Sequence, residues 1–146
     1  MIYTRQGSSI ELSAGVLAAI RRHAEAAYPH ECCGALIGRQ IEDGLVEVFD
    51  ATALDNVTDE GPRRRFRVSP ADYRQSEARA RELGAELLGF YHSHPDHPAQ
   101  PSQYDLDHAW PNFSYVIVAV AQGTAGDLRS WRLLADRSAF EEEFIA

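Results

Sequence analysis

Basic charge, cysteine and long apolar runs are all scarce in this chain, and each shortage removes a class of function. The 146 residues carry 14 basic against 22 acidic side chains, a formal net charge of −8. Phosphate backbones repel such a protein, so a nucleic-acid partner is not expected. Cys32 and Cys33 are the only cysteines and they are adjacent. Neighbouring residues do not reach ordinary disulfide geometry, so both are expected as thiols in a reducing compartment, the cytoplasm. No apolar run approaches the roughly 20 residues that span a bilayer, and the first residues lack the basic-then-apolar pattern of a secretion signal. No membrane partner is expected. Internal repeats and low-complexity segments are missing as well. What remains is ordinary: 45% hydrophobic and 25% charged residues suit a globular chain, and the length suits one domain over 1–146 with its own core.

Punctuation by Gly, Pro and Ser divides the chain. Ile10 to Ala27 reads as a short apolar start running into a helix, with Ser13 as cap and Val16, Leu17, Ile20, His23, Ala24 and Ala27 at helical spacing; Tyr28-Pro29 ends it. Ala35 to Gly38 is an apolar strand, Asp43-Gly44 a hairpin turn, and Leu45 to Phe49 the returning strand. Asp50 to Asp59 continues with alternation into a polar loop ending at Glu60-Gly61-Pro62, then comes the basic cluster Arg63 to Arg65, which is either a solvated loop or a patch for an acidic partner. Phe66 to Val68 reads as a short strand. Ser69 caps a helix from about Ala71 to Glu82, with Pro70 in its first turn and Gly84 ending it. Ala85 to Tyr91 is a buried strand, Ser102 to Ala109 a short helix, and Tyr115 to Ala121 another buried strand. Gly123 to Gly126 is a turn, and Leu128 to Leu134 a strand carrying Trp131. Ser138 to Ile145 fits a short helix or a segment packing back on the domain. The order predicts one mixed sheet flanked by helices, an α+β or α/β arrangement.

The chemistry concentrates in Phe90 to Asp105. His92 and His94 stand two apart at the end of a strand, so both imidazoles face one side. Pro95, Pro98 and Pro101 make a stiff loop, Ser102 is a helix N-cap, and Asp105 lies in the first turn. Two nitrogens and one oxygen with a fourth position open is the ligand count of a catalytic zinc site. His97 and His108 lie out of register and read as surface. Hydrolysis at such a metal needs a proton shuttle. Glu31, at a helix-to-strand junction with no packing reason for an acid, is the best candidate.

Taken together, His-Glu-Cys-Cys-Gly-Ala-Leu-Ile-Gly from His30, Gly-Phe-Tyr-His-Ser-His-Pro from Gly89 and Pro-Ser-Gln-Tyr-Asp from Pro101 resemble the JAMM (MPN+) metalloproteases. The family signature is a Glu, later His-x-His, seven residues, then Ser-x-x-Asp; Glu31, His92, His94, Ser102 and Asp105 fill each place. The resemblance implies a cytidine-deaminase-like JAMM/MPN architecture and one Zn2+ per chain on His92, His94 and Asp105. It implies a zinc metallopeptidase that cleaves a peptide or isopeptide bond after the Gly-Gly tail of a ubiquitin-like protein. Glu31 would act on the metal-bound water as general base and acid, and Ser102 would steady the oxyanion. Cys33 falls where the family often has cysteine, and reads as small core packing. The chain lacks room for the insertions of eukaryotic members that trim ubiquitin chains. It resembles the short prokaryotic type, whose implied partner is a ubiquitin-like sulfur-carrier protein or its C-terminal adduct in cysteine biosynthesis. The tail could add to an open sheet edge.

Rival readings are a catalytically silent MPN-type scaffold, which would be expected to have lost ligands, and a zinc amidase on a small molecule. A non-haem iron facial triad would leave Glu31 and Ser102 without a task.

Overall fold

In the computed structural model, which describes residues 8–55 and 68–146, the local signals decide most element ends. Strand β1 (Ser9–Leu12) leads into helix α1 (Ala14–Ala27), and the Ser13 hydroxyl oxygen caps it by accepting from the Val16 amide at 3.1 Å. The apolar start before the helix is thus a strand in its own right. Strands β2 (Cys33–Glu42) and β3 (Leu45–Leu54) form the hairpin, with Gly44 at φ 79° in the turn. That left-handed backbone is open to glycine at little cost. Helix α2 (Pro70–Glu82) starts on the Ser69 cap, whose oxygen accepts from the Asp72 amide at 3.1 Å. Strand β4 (Glu86–Pro95) carries the histidine pair, and helix α3 (Gln103–His108) follows the proline loop. Strands β5 (Ser114–Ala121), β6 (Thr124–Leu133) and β7 (Phe140–Ile145) complete the chain.

The mixed sheet runs in the order β1-β3-β2-β4-β5-β6-β7 and closes where β1 meets β7. Strand pairs β4–β5, β1–β3 and β1–β7 are parallel and the others antiparallel. Of the two expectations for the last segment, the one that packs back on the domain holds: it does so as strand β7 and not as a helix. The turn expected at Gly123 to Gly126 tightens to Gln122-Gly123, because β6 already begins at Thr124. Closure of the sheet limits where a substrate tail could add to an open edge. Strand β1 pairs only with Leu45 to Val48 of β3, so Phe49 to Leu54 keep a side without a strand partner among the described residues. The Arg63 to Arg65 cluster and most of the expected Phe66 to Val68 strand lie outside the described residues; Val68 itself is buried and not in a strand.

Alternation along β4 splits the core between two faces. Tyr91 joins Ile20, Ala24, Val116 and Val118 under α1. Phe90 joins Cys33, Val68, Tyr115 and Leu133, with Tyr73 of α2 and Trp110 packed against them. Gly34 belongs to this arrangement: a Cβ there would collide with the Tyr91 ring lying across it. His92 and His94, in phase with Phe90, therefore emerge on the α2 and α3 side. No helix among the described residues is long and apolar enough to cross a membrane.

Candidate active site

At the end of β4 the two imidazoles turn toward one point. Their Nε2 atoms lie 3.1 Å apart, and Asp105 Oδ2 stands 3.3 Å from His92 Nε2 and 3.2 Å from His94 Nε2. The three residues are buried, between 1% and 8% exposed. Asp105 is aimed by its own helix end. Its Oδ2 accepts from the Ser102 amide at 2.9 Å while the Ser102 oxygen accepts from the Asp105 amide at 3.0 Å, a complete capping box. His94 Nδ1 lies 2.8 Å from the Pro98 carbonyl. A carbonyl only accepts, so Nδ1 carries a proton, and in the neutral ring the Nε2 lone pair faces the triangle.

These donors fit a zinc ion. Ligands about 2.0–2.1 Å from a tetrahedral metal lie about 3.3–3.4 Å from each other, close to the spacings found. Two imidazole nitrogens and one carboxylate oxygen are also ligand types zinc accepts.

Without a cation the three groups compete for protons. Burial alone would raise the Asp105 carboxyl, but the charge and hydrogen bonds of His92 and His94 hold it well below the usual carboxylate range. Burial would lower His94, but its hydrogen bond and attraction to Asp105 raise it instead, helped by the Pro98 carbonyl. At His92 desolvation wins and the pKa falls.

Glu31 is 6% exposed, and a carboxylate oxygen of it groups with the ring nitrogens of His92 and His94, all within 4.8 Å of one another. This buried Glu/His/His group is itself able to hold a metal.

The sequence matches the family described as prokaryotic homologs of the JAB domain over residues 13–134. The chain belongs to this family. It is 30% identical to a desampylase of Haloferax volcanii over 118 residues, covering 80% of this chain and 82% of that protein. It is 32% identical over 127 residues to the tail tip assembly protein K of Escherichia phage N15, but those cover 87% of this chain and only 46% of the phage protein. The chain thus spans about half of that relative's length. A solution structure from Salinibacter ruber shares 42% identity at a TM-score of 0.74, covering 93% of this chain and 90% of that one. A JAB1/MPN domain protein from Archaeoglobus fulgidus matches in fold at a TM-score of 0.59 and 20% identity, covering 96% of this chain and 100% of that one. The protein is a short prokaryotic member of the JAMM/MPN type.

In this JAB domain the triangle lies between two cavities. A cleft of about 670 Å³ opens beside Glu31, His94 and Ser102 and is bounded by Pro29, Pro95, Pro98 and Pro101. A second cavity, about 250 Å³, lies against His92 and Asp105 and is walled largely by aromatic and aliphatic side chains. The proline loop between them is tied down on several sides. Trp131 Nε1 donates to the Ala99 carbonyl at 3.0 Å, and Asp96 accepts from the Tyr28 hydroxyl at 2.7 Å and the Gln122 amide at 2.8 Å.

Ser102 can serve two roles. The cap uses a lone pair of its oxygen, so the hydroxyl proton remains to be donated into the cleft. Ser93, between the histidines but on the opposite face, escaped the sequence reading. Its hydroxyl oxygen accepts from the Cys32 amide at 2.9 Å and its amide donates to the Cys32 carbonyl at 3.2 Å. Those bonds clamp the residue after Glu31 to the histidine strand. Only its place inside His-Ser-His could have signalled this.

His97 and His108 are exposed, as expected; His97 lines the cleft and His108 the smaller cavity, where it stacks on Tyr104 with ring centroids 4.0 Å apart. Burial pushes the Cys32 thiol up to about 11 and that of Cys33 up to about 12, so neither is a thiolate near neutrality. Cys33 packs in the core with its Sγ 3.6 Å from the Asp55 carbonyl.

Proposed function

We propose that this JAB protein is a zinc-dependent hydrolase that cleaves the bond after the C-terminal Gly-Gly tail of a ubiquitin-like protein, a sulfur carrier or its adduct, in the cytoplasm. The observation that carries this reading is the convergence of His92, His94 and Asp105 with Glu31 on one buried point beside an open cleft. Similarity to a desampylase, a ubiquitin-like protein deconjugase, supports the substrate class. The prokaryotic JAB relationship supports the metal.

His92, His94 and Asp105 would hold the ion. When bound there, zinc supplies a Lewis acid that brings a water's pKa down toward about 7. Glu31 takes the proton from the attacking water and delivers it to the departing amine, from a position that faces both histidines. The Ser102 hydroxyl donates to the carbonyl oxygen as it gains charge. The capping box and the His94–Pro98 hydrogen bond keep Asp105 and His94 in place while protons move.

The test is hydrolysis of a ubiquitin-like sulfur carrier extended by one amino acid beyond its Gly-Gly end. It compares wild type, Glu31→Gln and chelator-treated protein, each with its zinc content measured. Cleavage by the zinc-loaded wild type alone is the expected result. A wild type holding one zinc per chain that leaves the extended carrier intact would refute the substrate assignment.

A further inference from the structure

We infer that the small cavity against His92 and Asp105 is a binding site for a single amino-acid residue with a free carboxylate, and that Arg137 is the partner of that carboxylate. The inference deepens the hydrolase reading and rests on it for the site's place in the reaction.

The cavity holds about 250 Å³, somewhat below the roughly 300–1,000 Å³ of sites for drug-sized ligands. That suits one residue and not a folded partner. Val68, Phe90, Trp110 and Phe140 line it, with the Phe90 and Trp110 ring centroids 5.7 Å apart. His92 and Asp105 line it too, so whatever occupies it lies beside the reacting bond. Among the described residues Arg137 is the one arginine of the lining. It stands in the β6–β7 turn at φ 64°, with its amide bonded to the Leu134 carbonyl at 2.9 Å. Among the described residues Arg137 makes no ion pair. Of the two acids in the lining, Asp105 belongs to the histidine triangle and Asp107 is engaged by the Gln103 side-chain amide at 2.8 Å. An unpaired guanidinium at an apolar pocket matches a ligand with an apolar body and a planar anion.

The opposite cleft has the reverse character. It is larger, presents the carboxylates of Glu31 and Asp96, and has prolines where the pocket has rings. The pocket holds two carboxylates as well, Asp105 and Asp107, but it sets Arg137 beside them, whereas the described lining of the cleft has no arginine to pair a ligand's carboxylate. An extended tail of glycines needs no side-chain pocket and brings no charge at the bond to be cut. The two cavities therefore differ as the two halves of the substrate differ: acyl tail in the cleft, leaving residue in the pocket. Hydrolysis adds the hydroxyl of water to the Gly carbonyl carbon and its proton to the departing nitrogen, and the carboxylate held by Arg137 is unchanged throughout. A lysine linked through its side-chain nitrogen brings a long stem with no carboxylate beside that bond. The pocket thus favours a residue joined through its α-amine.

Two measurements test this. Leucine and leucinamide are titrated separately into metal-free and zinc-loaded protein, following the Trp110 fluorescence, with Trp110→Phe as the control for the reporter. Leucine should bind at least about tenfold tighter than leucinamide, and Arg137→Gln should erase the difference while its thermal melting stays in place. Equal binding of the two, no saturable binding of leucine, or a difference that survives Arg137→Gln would each overturn the inference. Hydrolysis of a Gly-Gly-Leu tail against its carboxamide separates the two readings. Arg137-dependent leucine binding without any hydrolysis sinks the hydrolase reading alone. Hydrolysis indifferent to the carboxylate sinks the pocket alone. The expected result is a tenfold or larger fall in kcat/KM for the carboxamide, carried mainly by KM.

Discussion

On one side of the His92–His94–Asp105 triangle the protein presents Glu31, Ser102 and four prolines to an open cleft. On the other it presents Phe90, Trp110 and Phe140 to a small cavity with Arg137 at hand. The polar side is held by hydrogen bonds that reach across the fold, Ser93 to Cys32, Trp131 to Ala99 and Tyr28 to Asp96, and by the local bond of His94 to the Pro98 carbonyl. The apolar side is held by ring packing. Hydrogen bonds are directional and set atoms to within tenths of an ångström, which reacting groups require. Ring contacts tolerate change of shape, which suits a surface that selects among side chains. Chemistry and selectivity are thus supported by different physical means, and substitutions should separate them.

The most severe break is at the triangle. Asp105→Ala removes the oxygen donor and one half of the capping box, so bound zinc should drop from one per chain to near none after dialysis, with hydrolysis lost. Metal analysis checks it, and full zinc retention would show that Asp105 is not a ligand. Next comes the cleft side. Glu31→Gln should keep its zinc and lose about 10²–10⁴-fold in kcat, the usual contribution of a general acid and base. A kcat within a factor of two of wild type would remove Glu31 from the proton path.

Ser102→Ala should lower kcat by about 10²–10³-fold as an oxyanion donor is lost, and stability by about 1 kcal/mol as the cap is lost. Ser102→Asn keeps a capping acceptor, so it should recover the stability without recovering kcat. If both recover together, the cap was the residue's whole contribution. Neither change should alter leucine binding in the aromatic pocket.

The smallest effect is a dependence on pH. His94 has a raised pKa in the metal-free fold against an ordinary value of 6.5. The stability it contributes is fully present below 6.5 and is lost as pH rises through the raised value. Zinc must displace that proton, so its affinity should fall about tenfold per unit as pH drops through the same value. Melting curves with and without zinc should therefore converge on acidification and separate as pH rises. Parallel curves would mean that His94 takes no proton in the metal-free state.

Legibility in the sequence followed the range of the interactions. Ser13, Ser69 and Ser102 each bond to an amide three residues on, so all three caps could be read from the chain. The facing of His92 and His94 needed only the strand's period of two. Segment Phe140 to Ile145 was ambiguous because its pattern is weak; it is a strand because Phe140 to Glu143 pair with Ser130 to Leu133, and its end pairs with β1. Ser93 was unreadable as a clamp for the same reason. Its partner, Cys32, is 61 residues away.

Residue types and short spacings alone determined the mixed α and β character and the candidate ligands, because those follow from backbone periodicity, capping and side-chain chemistry; Glu31 joined them through the resemblance of three separate segments to one family. Tertiary structure alone decided that the sheet closes β1 on β7, that Ser93 ties the Glu31 segment to the histidines, and that Arg137 comes to the pocket beside His92 and Asp105. These are contacts between segments far apart in the chain, formed only when the packed faces of the sheet bring the segments together, and no local pattern encodes them.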